Sequence, residues 1–166
     1  LKLDSIADLT SFVVAPAYLY FLFIPIQGWP AMIPPLAIVT ASAVRLAKFN
    51  LLPPSPYFTG LPTPATAMFL IGLFLGMEYD SQIIKTIFSN TYAYWAIAFF
   101  FAFMMVSTVR MVSLKGLNKD MRQNKLQLVL LVVFILLLLV DNKLAAPVVI
   151  LLYIILSLAQ SLSRKA

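Results

Sequence analysis

Two aspartates with a regular spacing stand at the start of this chain. Asp4 and Asp8 lie four residues apart, at the head of a long apolar segment. On a helix, both carboxylates project from one face and repel each other unless a cation lies between them. Carboxylate oxygens suit a hard divalent cation, Mg²⁺ or Mn²⁺. The alternative is a pair of acidic residues that the helix dipole favours near a helix N-terminus.

The composition of the chain limits which other side chains can perform chemistry. The absence of histidine and cysteine excludes a histidine base, haem ligation, disulfides and thiolate metal sites. Any acid–base or metal chemistry falls to six acidic residues: Asp4, Asp8, Glu78, Asp80, Asp120 and Asp141. Two carboxylates do not complete a two-metal centre, and the other four acids are not at suitable positions, so the sequence leaves the remaining ligands unassigned.

The hydropathy of the chain predicts the fold class. Of the 166 residues, 62% are hydrophobic and 11% are charged, with a mean hydropathy of +0.96. Unbroken apolar runs indicate an all-α polytopic membrane protein, with six transmembrane helices in one membrane domain that covers residues 1–166. The predicted spans are about 4–24, 31–50, 63–77, 91–112, 126–140 and 144–162.

The distribution of basic residues predicts the orientation of these spans. With the first span starting in the cytoplasm, ten Lys and Arg residues fall on the cytoplasmic side and two on the other. This arrangement gathers five charged residues at the cytoplasmic membrane face: Asp4, Asp8, Arg45, Lys48 and Arg110. The net charge of +6 is then explained by basic loops that face anionic lipid, with no need for nucleic acid as a partner.

Two arginines and a proline-rich connector complete the candidate site. Arg45 and Arg110 lie near the cytoplasmic ends of the second and fourth predicted spans. Such an arginine either extends to the membrane surface or binds an anion. Two of them beside a carboxylate–metal site favour a diphosphate or carboxylate ligand, whose oxygens match the guanidinium group. Residues 52–64 contain five prolines and predict a stiff loop that walls a pocket.

Four stretches of the chain resemble the CDP-alcohol phosphotransferase family. Residues 3–12 (L-D-S-I-A-D-L-T-S-F), followed by A-P-A at 15–17, resemble the second half of its signature, D-x2-D-G-x2-A-R, a gap, then G-x3-D-x3-D. Residues 44–50 (V-R-L-A-K-F-N), 57–64 (Y-F-T-G-L-P-T-P) and 106–110 (V-S-T-V-R) resemble the family members that use L-serine. The D-x3-D piece alone is weakly specific, but its combination with the other stretches is specific.

The resemblance implies a reaction and a role for each matching residue. The reaction is transfer of the phosphatidyl group from CDP-diacylglycerol to the hydroxyl of L-serine, with release of CMP. Asp4 matches a metal ligand of the signature, and Asp8 matches its metal-associated catalytic base. Six further residues are expected to hold the substrates: Arg45, Arg110, Lys48, Asn50, Phe58 and Gly60. The family also implies a homodimer in the cell membrane, with its active site at the cytoplasmic face.

The sequence also departs from the family pattern. No D-x2-D-G occurs in it, so the resemblance implies two further N-terminal spans, about eight in the intact protein, and an inactive piece when these spans are absent. Val13 and Lys48 stand where glycine and arginine are usual. Three alternatives remain open. In the first, the acceptor is glycerol phosphate or inositol phosphate instead of L-serine. In the second, the protein is a transporter or structural membrane protein, and in the third it is an inactive relative of the family.

Overall fold

The computed structural model describes residues 7–23, 27–51, 58–79, 81–111, 125–140 and 144–163. The helices in this part are α1 (Ala7–Leu22), α2 (Ile33–Leu51), α3 (Thr63–Glu78), α4 (Gln82–Phe88), α5 (Thr91–Val106), α6 (Lys125–Val140) and α7 (Ala145–Ser163). A 3₁₀ turn, Trp29–Met32, leads into α2, and α1 contains a π-helical segment, Thr10–Val14. Two short strands, β1 (Phe58–Thr59) and β2 (Arg110–Met111), pair antiparallel.

The predicted all-α class is confirmed for the described part of the chain. Helices α1, α2, α3, α5, α6 and α7 occupy the six segments that the hydropathy pattern predicts. The prediction that the fourth segment reaches residue 112 is wrong. α5 ends at Val106 because Ser107 has an extended backbone (φ −60°, ψ 154°), and Arg110 lies on β2. The short helix α4 was not predicted.

The number of membrane spans remains a prediction. Among the described residues, one helical segment, Trp29–Leu51, is long and apolar enough by itself to cross a membrane. α3 and α4 together pass the same test, but their axes are bent by 108° at the break between them. The remaining apolar helices are shorter. Six spans are therefore neither confirmed nor excluded by helix length.

Proline and asparagine explain where several helices begin. Pro30 opens the 3₁₀ turn before α2, and Pro64 lies in the first turn of α3. These positions tolerate proline because the first N–H groups of a helix have no partner within it. At α5, the Asn90 side chain accepts a hydrogen bond from the Tyr92 N–H at 2.9 Å and caps the helix.

The core is built from aromatic and small side chains between the helices. α2 packs along α5, while α3 lies against both α1 and α7. Tyr20 of α1 stacks on Tyr94 of α5 with ring centroids 4.3 Å apart, and its hydroxyl donates to the Tyr94 carbonyl at 2.6 Å. At Gly72 of α3, an added Cβ would lie 2.5 Å from Pro147 Cδ of α7. These contacts fix α1, α3, α5 and α7 relative to one another.

One buried hydroxyl in this core predicts a stabilising substitution. Thr66 is 1% exposed, and within the described part of the chain its Oγ1 has no hydrogen-bond partner. We expect Thr66→Val to raise the free energy of unfolding by about 1 kcal/mol, because it removes an unsatisfied polar atom and keeps the side-chain shape. Thermal unfolding in detergent measures the effect.

The matched control for Thr66→Val is Ser42→Ala. Ser42 is as deeply buried, but its hydroxyl donates to Met105 Sδ at 3.1 Å. This substitution removes a satisfied group and is expected to leave stability unchanged or lower. A loss of stability in Thr66→Val would show that its hydroxyl is satisfied in solution.

Candidate functional site

Two of the sequence stretches that resemble the family are joined by backbone hydrogen bonds. In the β1–β2 pair, Thr59 lies opposite Arg110. The ladder continues beyond the strands, because the Gly60 N–H donates to the Val109 carbonyl at 2.8 Å. The connector between α2 and α3 is therefore fastened to the segment that follows α5. We call the strands with Gly60 and Val109 the β junction.

Arg45 connects a third stretch, the end of α2, to this junction. Its side chain is half-buried, and Nη1 donates to the Thr59 carbonyl at 2.9 Å and to the Met105 carbonyl at 3.3 Å. Met105 belongs to the last turn of α5, where helix carbonyls lack partners and the helix dipole favours a cation. The guanidinium group is therefore held in place by the backbone of two elements.

Gly60 allows Arg45 to approach the junction. Its φ of +70° lies in the left-handed region, which favours glycine. A Cβ at this position would lie 2.6 Å from the Met105 carbonyl oxygen and 2.8 Å from Arg45 Nη1. Both its backbone conformation and the space around it require glycine. The structure thus gives Gly60 a role in building the site, and its contact with substrate stays a prediction.

Two polar residues of α7 also belong to this end of the molecule. Tyr153 and Ser157 are each 1% exposed and hydrogen-bond to each other through their side chains. Tyr153 is also near enough to Arg45 for an electrostatic interaction, and α7 packs against β2. Sequence reasoning missed both residues. The available signal was a Tyr and a Ser four residues apart in the otherwise apolar stretch 145–159.

Asp8 lines a cavity beside the junction. The cavity has a volume of about 40 Å³, and its walls include Asp8 and Val13 of α1, Ser42 and Leu46 of α2, and Thr63 of α3. Asp8 is exposed, while Val13 and Ser42 are buried, so the cavity extends from the surface toward the core. A volume of this size accommodates water or a small polar group of a larger ligand.

The other predicted site residues have the following positions. Lys48 and Asn50 are exposed on the last turn of α2, at the same end as Asp8 and the β junction. Only the backbones of Phe58 and Arg110 are described, and each lies on a strand of the junction. Asp4 lies outside the described residues. The sequence predicted Arg110 within the end of the fourth span. The structure corrects this prediction, because Arg110 lies on β2, which pairs with β1.

The described residues do not complete a divalent metal site. No group of three or more His, Cys, Asp or Glu side chains occurs within the described part of the chain. Among the residues that line the cavity, Asp8 supplies the carboxylate. One carboxylate is fewer than the oxygen ligands that a divalent cation takes in proteins. The described residues therefore offer Asp8 as a proton acceptor but no complete ligand set for a cation.

The two bonds of Arg45 predict a measurable loss of stability when they are removed. We expect Arg45→Met to lower the free energy of unfolding by about 1.5–3 kcal/mol, the range that hydrogen bonds to charged groups contribute. Lys48→Met is the matched control, since Lys48 is a cation one turn further along α2 and is exposed. Equal effects of both substitutions, measured by thermal unfolding in detergent, would contradict the structural role of Arg45.

The fold and the site together define a helical protein with much apolar surface and a carboxylate-lined cavity beside an arginine-stabilised junction. The chain is similar to the CDP-diacylglycerol–serine O-phosphatidyltransferase of Methanocaldococcus jannaschii, with 44% identity over 71 residues. These residues make up 43% of this chain and 34% of the relative, so the match spans about a third of the relative's length. No family model matches the chain.

Proposed function

We propose that this chain belongs to an enzyme of phospholipid biosynthesis that transfers a phosphatidyl group from CDP-diacylglycerol to the hydroxyl of L-serine, with CMP as the second product. The main observation in support is structural. Residues 44–50, 58–64 and 106–110, which belong to the stretches that resemble the family, meet at one end of the helices beside the Asp8 cavity. The partial similarity to the archaeal enzyme supports the same reaction.

In the proposed mechanism Asp8 is the general base. Its carboxylate accepts the proton of the serine hydroxyl while the serine oxygen attacks the phosphorus of the phosphatidyl group. The bond from that phosphorus to the bridging oxygen of CMP breaks, and the electron pair leaves with CMP. The cavity beside Asp8 is open to the surface, so a small acceptor can reach the carboxylate while the lipid tails stay in an apolar environment.

The cations at this end of the molecule are proposed to hold the negative charges of the substrates. Arg45 is held by two backbone carbonyls, and Lys48 lies one turn further along the same helix. We include Arg110 in this group because its backbone pairs with Thr59. Their partners are the diphosphate of the nucleotide lipid and the carboxylate of serine.

A divalent cation is also part of the proposal. It follows from the sequence pair Asp4 and Asp8, with Mg²⁺ or Mn²⁺ as the candidates. When bound, it would neutralise the diphosphate charge. Loss of CMP release on chelation, with recovery on adding one of the two metals, is the expected result.

We further propose that the protein is integral to the cell membrane, with Asp8 at the cytoplasmic face, and that it forms a homodimer. The bias of basic residues supports the orientation. The substrates support it as well, because serine and CMP are water-soluble while the diacylglycerol part requires a bilayer. The homodimer follows from the family resemblance.

CMP release by the full-length protein in membranes tests the proposed function. The assay contains CDP-diacylglycerol, divalent metal, and one of four additions: L-serine, glycerol 3-phosphate, inositol phosphate or none. Release that depends on L-serine is the expected result. Release with a phosphorylated acceptor would retain the enzyme class and replace the acceptor. No release above the acceptor-free control, from protein shown to be folded, would refute the enzymatic function.

A further inference from the structure

Helix α1 changes its hydrogen-bond pattern between Asp8 and the part of the helix that enters the core. The segment Thr10–Val14 is a π-helix, and the Ala15 N–H donates to the Thr10 carbonyl five residues earlier. Pro16 follows at the second position of the α-helical part and is buried. The π-helical segment therefore lies between Asp8 and the part of α1 that is packed in the core.

The π turn determines the angle between Asp8 and Val13 around the axis of α1. Asp8 and Val13 are five residues apart, which places them about 140° apart around a straight α-helix of 3.6 residues per turn. A π turn contains one additional residue, so the two are instead related roughly as i and i+4 neighbours, about 40° apart. Val13 is 2% exposed, and it lines the same cavity as Asp8, together with Leu9 and Phe12.

We propose that the π-helical segment is a positioning element for Asp8. It accommodates one residue more than a regular α turn, and so keeps Asp8 on the side of α1 that lines the cavity with Ser42 and Leu46. The catalytic importance of this direction rests on the proposed function, because it matters for the reaction only if Asp8 is the base. The geometric part of the proposal stands independently of the reaction.

Cysteine cross-linking tests the geometry, since the chain contains no native cysteine. Asp8 and Leu46 both line the cavity. Both are replaced by cysteine (Asp8→Cys and Leu46→Cys), and membranes that contain the protein are treated with a short bis-methanethiosulfonate reagent. The pair is placed in three backgrounds: the unaltered chain, deletion of the exposed Ser11, and insertion of one alanine after Ser11.

The deletion and the insertion have opposite expected results. Deletion of Ser11 converts the π turn into a regular α turn, so Asp8 keeps its direction and moves along the axis by at most about 1.5 Å. Insertion rotates residue 8 by about 100°. We expect cross-linking in the unaltered and deletion backgrounds and at least a roughly tenfold lower yield after insertion. Equal loss in both altered backgrounds, or cross-linking in all three, would overturn the proposal.

A second cysteine pair verifies that α1 remains docked. The rings of Phe23 and Phe74 lie 5.0 Å apart, on the other side of the π segment from Asp8. Phe23→Cys with Phe74→Cys is expected to cross-link in all three backgrounds. A background in which this pair fails is replaced by one in which the deleted or inserted position is moved to Val14, which is also exposed and does not line the cavity.

An activity measurement separates this proposal from the proposed function. With Asp8 retained, serine-dependent CMP release is expected to survive the deletion at least about tenfold better than the insertion. If the unaltered protein releases no CMP, the proposed function fails while the cross-linking result still decides the geometry. If the unaltered protein is active and the two variants lose activity equally, the positioning role fails while the function stands.

Discussion

Asp8→Asn is expected to lower serine-dependent CMP release by about 100- to 10,000-fold, the range by which a positioned general base accelerates a reaction. The amide keeps the size of the side chain but does not accept the serine proton. Because Asp8 is exposed, its substitution is expected to leave the unfolding midpoint unchanged. Initial rates and thermal unfolding, measured on the same preparation, separate the chemical effect from misfolding.

Glu78→Gln provides the matched control for Asp8→Asn. Glu78 is also exposed, and it lies at the end of α3 opposite Thr63, which lines the Asp8 cavity. The two ends are about 22 Å apart along the helix. Glu78→Gln removes a negative charge without altering the cavity, so full activity is expected. Retention of most of the activity in Asp8→Asn would leave Asp8 as a residue that stabilises the start of α1, in agreement with the non-enzymatic alternative.

Gly60→Ala is expected to lower the free energy of unfolding by about 2–5 kcal/mol. An alanine at φ +70° has an unfavourable left-handed backbone. Its Cβ also overlaps the Met105 and Ser107 carbonyl oxygens, with separations of 2.6 and 2.9 Å. Relief of this overlap separates β1 from the end of α5, and Arg45 then loses one or both of its carbonyl partners.

Gly28→Ala isolates the contribution of the close contacts. Gly28 has φ +93° and ψ −172°, a backbone region that is essentially restricted to glycine, but the nearest atom to its Cβ is Pro30 Cδ at 3.7 Å. We expect an effect of about 1–3 kcal/mol, the backbone part alone. If CMP release persists in both variants, the close approach of Arg45 to Gly60 contributes nothing to the site. CMP release is expected to fall in Gly60→Ala and to persist in Gly28→Ala.

The helices are the part of the fold that the sequence predicts well. An apolar run encodes a helix locally, because each backbone group finds its partner within the same segment and proline marks the ends. The six predicted segments therefore agree with six of the helices in the described residues. The predicted end of the fourth segment, which corresponds to α5, was wrong for a physical reason. The hydrogen bonds that hold residues 109–111 come from residues 58–60, and no local periodicity reports such a distant partner.

The candidate site divides in the same way. The sequence by itself determined which residue types are available, with Asp8 among few carboxylates and Arg45 near the end of a helix, and alternation of helix direction placed both at one end. Only the tertiary structure decided that Arg45 binds the Thr59 and Met105 carbonyls, that Tyr153 lies near it, and that Asp8 lines a cavity two residues before a π-helical segment. These features depend on contacts between distant segments and on the hydrogen-bond pattern within α1. Both are set by the packing of the folded chain, which cannot be read from residue types and their spacing alone.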